Sequence, residues 1–232
     1  MITAKKNSVI GSAFRLYHQR LLKKHFYKIH LRGIKNLSLI NGNLSCIFYA
    51  NHSNWWDGFI AYFLTHRILK EDDYLMMDIE QMRKYPFFKY IGVFSVDRSN
   101  PSSALQSIEY AASLLKNKKR SLWIFPQGEM APQDKRPLDF FRGISKLTEK
   151  TGPLNIVPVA LRYEFLMEQR PEIFISISKP VSDHSSYKAL TAKLEKELTE
   201  ELDKLRNDIV NGDTACFETV FCGQNSRNKT FD

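Results

Sequence analysis

The chain has 232 residues, of which 43% are hydrophobic and 25% charged, and a formal net charge of +9. That length can bury a sizeable core within one α/β domain, and the apolar fraction excludes a disordered chain. No apolar run reaches the roughly eighteen residues of a membrane-spanning helix, and the N-terminus lacks a signal peptide's apolar block, so the chain is expected inside the cell.

Val9, Ile10, Ala13, Phe14, Leu16, Tyr17 and Leu21 recur at helical spacing, while Lys5, Lys6, Arg15, Arg20, Lys23, Lys24 and Lys28 supply a positive face. No Asp or Glu opposes them within residues 1–30. The pattern predicts residues 1–30 to be a basic amphipathic helical segment on an anionic membrane surface, with its apolar stripe at the headgroup boundary. Packing of that stripe onto a core is the competing reading. Nucleic acid is excluded as the anionic partner, because no helix-turn-helix, zinc-finger or aromatic RNA-binding signature accompanies the basic residues.

Residues 31–212 alternate between strand and helix patterns. Cys46–Ala50 is a buried-strand run, broken at Asn51, and a helix is expected from Asp57 to about Ile68. His52 therefore stands at a strand's end, and the turn into the helix can fold Asp57 beneath its imidazole. A carboxylate so placed fixes one tautomer and stabilises the imidazolium, as a general base acting on a hydroxyl requires. Taken alone, the pair fits a satisfied structural histidine as well.

A short strand is expected at Tyr74–Met77, and the run from Ile91 ends with Arg98. A helix over Ser102–Lys116 has Pro101 near its start, Ser99 or Asn100 as its cap, and the basic run to Arg120 at its end. Ser121–Phe125 reads as another buried strand, stopped by Pro126 and followed by Gly128, which admits close approach to the backbone. Gly143–Thr151 reads as a helix. Ile156–Leu161 is a strand whose Pro158 suits an end or an edge position. A strand at Glu172–Ser178 and a strongly periodic helix at Tyr187–Val210 complete the domain. Residues 213–232 read as a flexible tail that Phe217, Val220, Phe221 and Phe231 can pin down. Cys46, Cys216 and Cys222 read as reduced thiols, and the histidines form no metal-binding pattern, so no metal is expected.

Strands separated by helices imply an α/β fold: a single domain with a mixed, mostly parallel sheet flanked by helices, and the basic amphipathic helix at its N-terminus. Ligand sites of such sheets gather at the strands' carboxyl ends. His52, Arg98 and the Phe125–Gly128 loop all follow strands, so one rim can assemble them.

In this order, His52-x4-Asp57, the Gly92 to Arg98 segment, Phe125-Pro126-x-Gly128 and Val157-Pro158-Val159 resemble the four motifs of the glycerolipid acyltransferases, typified by 1-acylglycerol-3-phosphate acyltransferase. The resemblance spans about residues 45 to 165 and is specific as an ordered set. It implies His52 as general base and Asp57 as its orienter. It also implies Arg98 and the loop Phe125, Pro126, Gln127, Gly128 and Glu129 as substrate-binding residues. The donor so implied is acyl-CoA or acyl carrier protein, a co-substrate, with no separate cofactor. The implied acceptor is a membrane lipid, typically lysophosphatidic acid, met at the cytoplasmic face of the membrane by a peripheral enzyme.

The third motif departs from the family's usual Phe-Pro-Glu-Gly-Thr-Arg: Gln127, Glu129 and Met130 replace its glutamate, threonine and arginine. A carboxylate beside a phosphate repels it, while the same carboxylate can hydrogen-bond hydroxyls of a glycolipid, an aminolipid or a glycosylated terpenoid. Lys135, Arg136 and Arg142 follow closely and can restore positive charge, although Lys135 and Arg136 equally suit a solvated surface. A reading of another class is a non-catalytic membrane-surface lipid-binding protein. No covalent acyl-enzyme is expected, since no Gly-x-Ser-x-Gly elbow is present; backbone N–H groups near Gly128 are the candidate oxyanion donors.

Overall fold

The computed structural model describes residues 1–70, 72–116, 119–181 and 187–225, leaving aside the side chains of 187 and 188. In chain order the elements are α1 (Ser8–His25), β1 (Lys28–Arg32), β2 (Cys46–Ala50), α2 (Asp57–Leu64), β3 (Asp73–Asp78), α3 (Ile79–Lys84) and β4 (Val93–Val96). There follow α4 (Pro101–Leu115), β5 (Ser121–Ile124), α5 (Gly143–Thr151), β6 (Asn155–Glu164), β7 (Glu172–Ile177), α6 (Tyr187–Val210) and β8 (Glu218–Cys222).

One eight-stranded sheet runs β4-β3-β5-β2-β6-β7-β1-β8. From β4 to β6 every pairing is parallel, β7 runs antiparallel to β6, and β1 runs parallel to β7 but antiparallel to β8. All five residues of β2 are buried, as a central parallel strand covered on both faces demands. Alternation divides them: Ile47 and Tyr49 join the core under α4, α5 and α6, while Cys46, Phe48 and Ala50 join the core under α2. On α6, Leu190, Leu194, Leu198, Leu202 and Leu205 are all buried, one apolar stripe laid on the first of these faces.

Three expectations change. The N-terminal helix is shorter than the segment expected to hold it: it starts behind Asn7, whose side chain accepts the Val9 and Ile10 N–H groups, and it ends at His25. Residues 28–30 instead open β1, whose Ile29 and Leu31 are fully buried. Of the apolar stripe, Phe14 and Leu21 pack on the domain, whereas Val9, Leu16 and Tyr17 are exposed.

Pro158, expected at an end or an edge, lies inside the ten-residue strand β6 between β2 and β7. Its carbonyl accepts the Ser178 N–H at 3.0 Å, so its missing donor faces the point where the β7 ladder has already ended at Ile177.

Within the expected tail, Glu218–Cys222 adds β8 to the sheet's edge, with Phe221 against Phe63 at 5.8 Å between ring centroids. Of the four anchors expected there, Phe217, Val220 and Phe221 pack on the cores and Phe231 lies outside the described residues.

Candidate active site

The five parallel strands end at one rim, and there the chain leaves β2. Asn51 anchors the exit by bonding β6 twice: its Nδ2 donates to the Leu161 carbonyl at 2.9 Å and its Oδ1 accepts the Leu161 N–H at 2.8 Å. The turn over residues 52–56 then brings Asp57, the first residue of α2, back under His52. Asp57 is fully buried, and four donors converge on its carboxylate. Oδ2 accepts from the Ser53 N–H at 2.7 Å, the Asn54 N–H at 2.9 Å and His52 Nδ1 at 2.8 Å, while Oδ1 accepts from the Tyr163 hydroxyl at 2.7 Å. A carboxylate only accepts, so the imidazole proton sits on Nδ1 and the neutral ring keeps its lone pair on Nε2.

The loop after β5 closes around the histidine. Phe125 stacks on the imidazole with ring centroids 4.7 Å apart, Gln127 Oε1 accepts the His52 backbone N–H at 2.6 Å, and the Ala131 N–H donates to the His52 carbonyl at 2.9 Å. Pro126 fixes the next segment, its carbonyl accepting the Phe141 N–H at 2.9 Å. The Gly128 N–H donates to the Phe125 carbonyl at 3.0 Å, which removes it from the candidate oxyanion donors. Gly128 is required at its position for two reasons: its φ is +74°, and a Cβ there would meet Arg98 Nη1 at 2.2 Å and the Phe141 ring at 3.0 Å.

Arg98 thus lies against the loop, held by Asp78 at 3.7 Å and over the Phe141 ring at 5.5 Å. The loop itself is tied down from outside: Arg162 Nη1 donates to Asp134 at 2.6 Å, Arg136 Nη2 to Asp203 at 2.8 Å, and Glu195 accepts the Asp139 N–H at 2.9 Å. Lys135 and Arg136 are therefore engaged in loop structure, Lys135 with Asp139 at 3.2 Å, and neither lines the site.

A cavity of about 850 Å³ opens at this rim and touches every sequence-predicted site residue except Asp57, buried behind His52, and Gln127, held by the His52 backbone. It straddles the sheet's edge. On the α2 side its wall follows β3 inward past Met77 and Leu75, with Phe59, Tyr62 and Phe88 opposite, to Asp73 at the strand's other end. Burial pushes the Asp73 carboxyl above the ordinary carboxylate range, and Lys6 Nζ stands 3.6 Å away. On the α4 and α5 side the wall is made by Leu105, Ile108 and Ile144, with Arg142 and Lys146 at its mouth.

Tyr163 is the site residue that sequence reasoning missed. It lies 106 positions beyond Asp57 and meets it only because β6 pairs with β2. Burial, and then the neighbouring Asp57 charge, push its hydroxyl well above the ordinary tyrosine range, so it remains a donor throughout the working pH range.

A family model described as Acyltransferase matches residues 28–162. The chain is 30% identical over 149 residues to a 1-acyl-sn-glycerol-3-phosphate acyltransferase of Streptococcus pneumoniae, covering 56% of this chain and 52% of that protein. It is 31% identical over 123 residues to a protein of the same name from Cocos nucifera, covering 51% of this chain and 38% of that protein. The chain thus spans about half the length of the first curated relative and less of the second. The family match runs from β1 to β6 and encloses His52, Asp57, Arg98 and the Phe125–Glu129 loop, and on that ground the chain belongs to the acyltransferase family.

Proposed function

We propose that this protein transfers a fatty acyl group from an acyl thioester, acyl-CoA or acyl carrier protein, to a hydroxyl of a lysophospholipid such as lysophosphatidic acid. The observation that carries the reading is the His52 ring itself: Nδ1 is bound to a saturated, buried carboxylate, and Nε2 has no partner among the described residues and stands at a cavity. In the reaction, Nε2 takes the proton of the acceptor hydroxyl as its oxygen attacks the thioester carbonyl. The tetrahedral oxyanion collapses, the carbon–sulfur bond breaks, and the imidazolium returns the proton to the departing thiolate. Asp57 steadies the imidazolium between these two steps.

The apolar wall along β3 suits the acyl chain. Six strand residues at 3.3 Å each give a path of roughly 17–20 Å, long enough for about a dozen or more extended methylenes at bond lengths near 1.5 Å. The exposed Val9, Leu16 and Tyr17 on α1, with Arg15 and Arg20 beside them, support attachment to an anionic membrane surface. No helix of the described residues is long and apolar enough to cross a membrane.

The relatives' names favour the phosphate-bearing acceptor. Glu129 and Met130, both on the cavity wall, favour a second reading in which the acceptor hydroxyl belongs to a lipid without a phosphate there. The test is release of free thiol from acyl-CoA in the presence of lysophosphatidic acid or a lipid extract, with the product identified by mass spectrometry. Acylated product is expected from the wild type and none from His52→Ala. Equal turnover by the two proteins overturns the assignment, and thiol release by neither, with lipid still bound, favours the non-catalytic lipid-binding reading.

A further inference from the structure

We propose that Arg142 and Lys146 form a phosphate subsite at the mouth of this cavity, doing from α5 what the loop at Glu129 and Met130 does not. The inference rests on the acyl-transfer reading above and assigns it two further substrate-binding residues. A phosphate monoester is held by cations whose charge is not already neutralised by protein carboxylates. Around this rim most cations are committed: Arg98 to Asp78 at 3.7 Å, Lys135 to Asp139 at 3.2 Å and Arg136 to Asp203 at 2.8 Å. Lys84, across the sheet's edge, lies over the Tyr85 ring at 5.4 Å.

Arg142 and Lys146 differ from the three paired cations in having no carboxylate, and from Lys84, also without one, in standing as a pair. Both are exposed on the wall of the cavity that holds His52, and neither has a carboxylate partner among the described residues. They stand four positions apart across the first turn of α5, so their side chains share one helix face and repel each other unless an anion lies between them. The cavity wall thus carries the Glu129 carboxylate on the loop, near Arg98, and the Arg142–Lys146 pair on α5. A dianion entering this mouth is repelled by the first and held by the second. Phosphate reaches this rim from two sources, the acceptor's headgroup and the nucleotide part of a CoA donor, and the geometry suits either.

The experiment pairs steady-state kinetics with direct binding, using wild type, Arg142→Ala/Lys146→Ala, and the same double variant carrying Met130→Arg. If the acceptor's headgroup is held, the double variant raises KM for lysophosphatidic acid by about tenfold or more with kcat within about twofold. If the donor's phosphates are held, KM rises for acyl-CoA but not for acyl-pantetheine, which lacks the nucleotide. In either case Met130→Arg, which returns a guanidinium to the same wall, recovers part of the loss, as repair of a merely structural defect would not. Binding of glycerol 3-phosphate and of adenosine 3′,5′-bisphosphate is measured separately by calorimetry on His52→Ala protein with and without the double substitution. Turnover with both KM values unchanged, and equal binding of both ligands, overturns the subsite and leaves the catalytic reading standing. Binding that the double substitution abolishes, in a protein whose wild type never turns over, keeps the subsite and sinks the catalytic reading. Arg142→Gln alone, at an exposed position, repeats the test if the double variant melts early.

Discussion

The two ends of the sheet treat charge in opposite ways. In the β7-β1-β8 end, Arg32 is buried and fully engaged: Nε donates to Ser176 Oγ at 2.7 Å, Nη2 to Glu201 at 2.8 Å, and Nη1 to Asp208. His30 there is held on both nitrogens, with Glu172 at 2.5 Å and Thr219 at 3.1 Å. At the rim of the parallel strands His52 is bonded through one nitrogen only, and Arg142 and Lys146 have no carboxylate at all among the described residues. Closed networks fix the position of α6 and the edge strands, whereas unfilled bonding capacity facing a cavity is what a substrate can use.

The sharpest way to break that contrast is to remove one group from each end. His52→Ala should lower kcat by about 10²–10⁴-fold, the usual weight of a general base, with the melting temperature nearly unchanged. Arg32→Met should do the reverse. It strands Glu201 and Asp208 in a partly buried network, costing about 3 kcal/mol of stability, which for a domain of this size lowers Tm by roughly 5–10 °C. Its kcat at a temperature where it stays folded should remain near wild type. An Arg32→Met protein that stays folded yet loses turnover would show that the two ends are not separable.

Much of the rim was legible because its signals are local. The His52–Asp57 pair sits within one turn between an apolar run and a helical period, and the bounds expected for β2, α5 and α6 coincide with those observed. What escaped was set by distant pairing. Tyr163 lies on a strand whose register against β2 no local pattern encodes. Residues 28–30 fall within the segment expected to be helical, and their strand character comes from the slot between β7 and β8. Pro158 is tolerated because the β7 ladder stops one position away, a fact of pairing and not of sequence. Arg136 and Arg142 look alike in the sequence; only the presence of Asp203 beside the first distinguishes a loop tie from a free cation.

His18 sharpens the comparison from inside the parallel end. Its ring is buried among Phe14, Phe59 and Tyr62, its Nε2–H donates to the Phe59 carbonyl at 2.9 Å, and it does not line the cavity. Burial, opposed by that hydrogen bond, depresses its pKa to about 4 from 6.5. The unfolded chain therefore binds a proton near pH 6.5 that the folded chain refuses until about pH 4. Stability from this group is complete above pH 6.5, falls as pH drops through the window between those values, and at the lower limit amounts to a loss of about 3 kcal/mol. His18→Gln, which keeps a donor for Phe59, should flatten that part of the pH–stability curve measured by urea unfolding without altering kcat at neutral pH. An unchanged slope would mean that the ring is protonated in the native state.

The smallest effect expected is that of Tyr163→Phe, and it separates orientation from charge at the His52–Asp57 pair. The substitution removes one of four donors from Asp57 and leaves His52 Nδ1 and the two backbone N–H groups in place. Losing a hydrogen bond to a charged group costs about 1.5–3 kcal/mol where nothing replaces it, but here the cost falls on the resting enzyme as well as on the transition state. Only the part that grows when the imidazolium forms reaches kcat, so a drop of about tenfold or less is expected, with KM for both substrates unchanged. A loss as deep as that of His52→Ala would mean that the phenol holds the carboxylate in place, and that the turn at residues 52–56 alone does not position the pair.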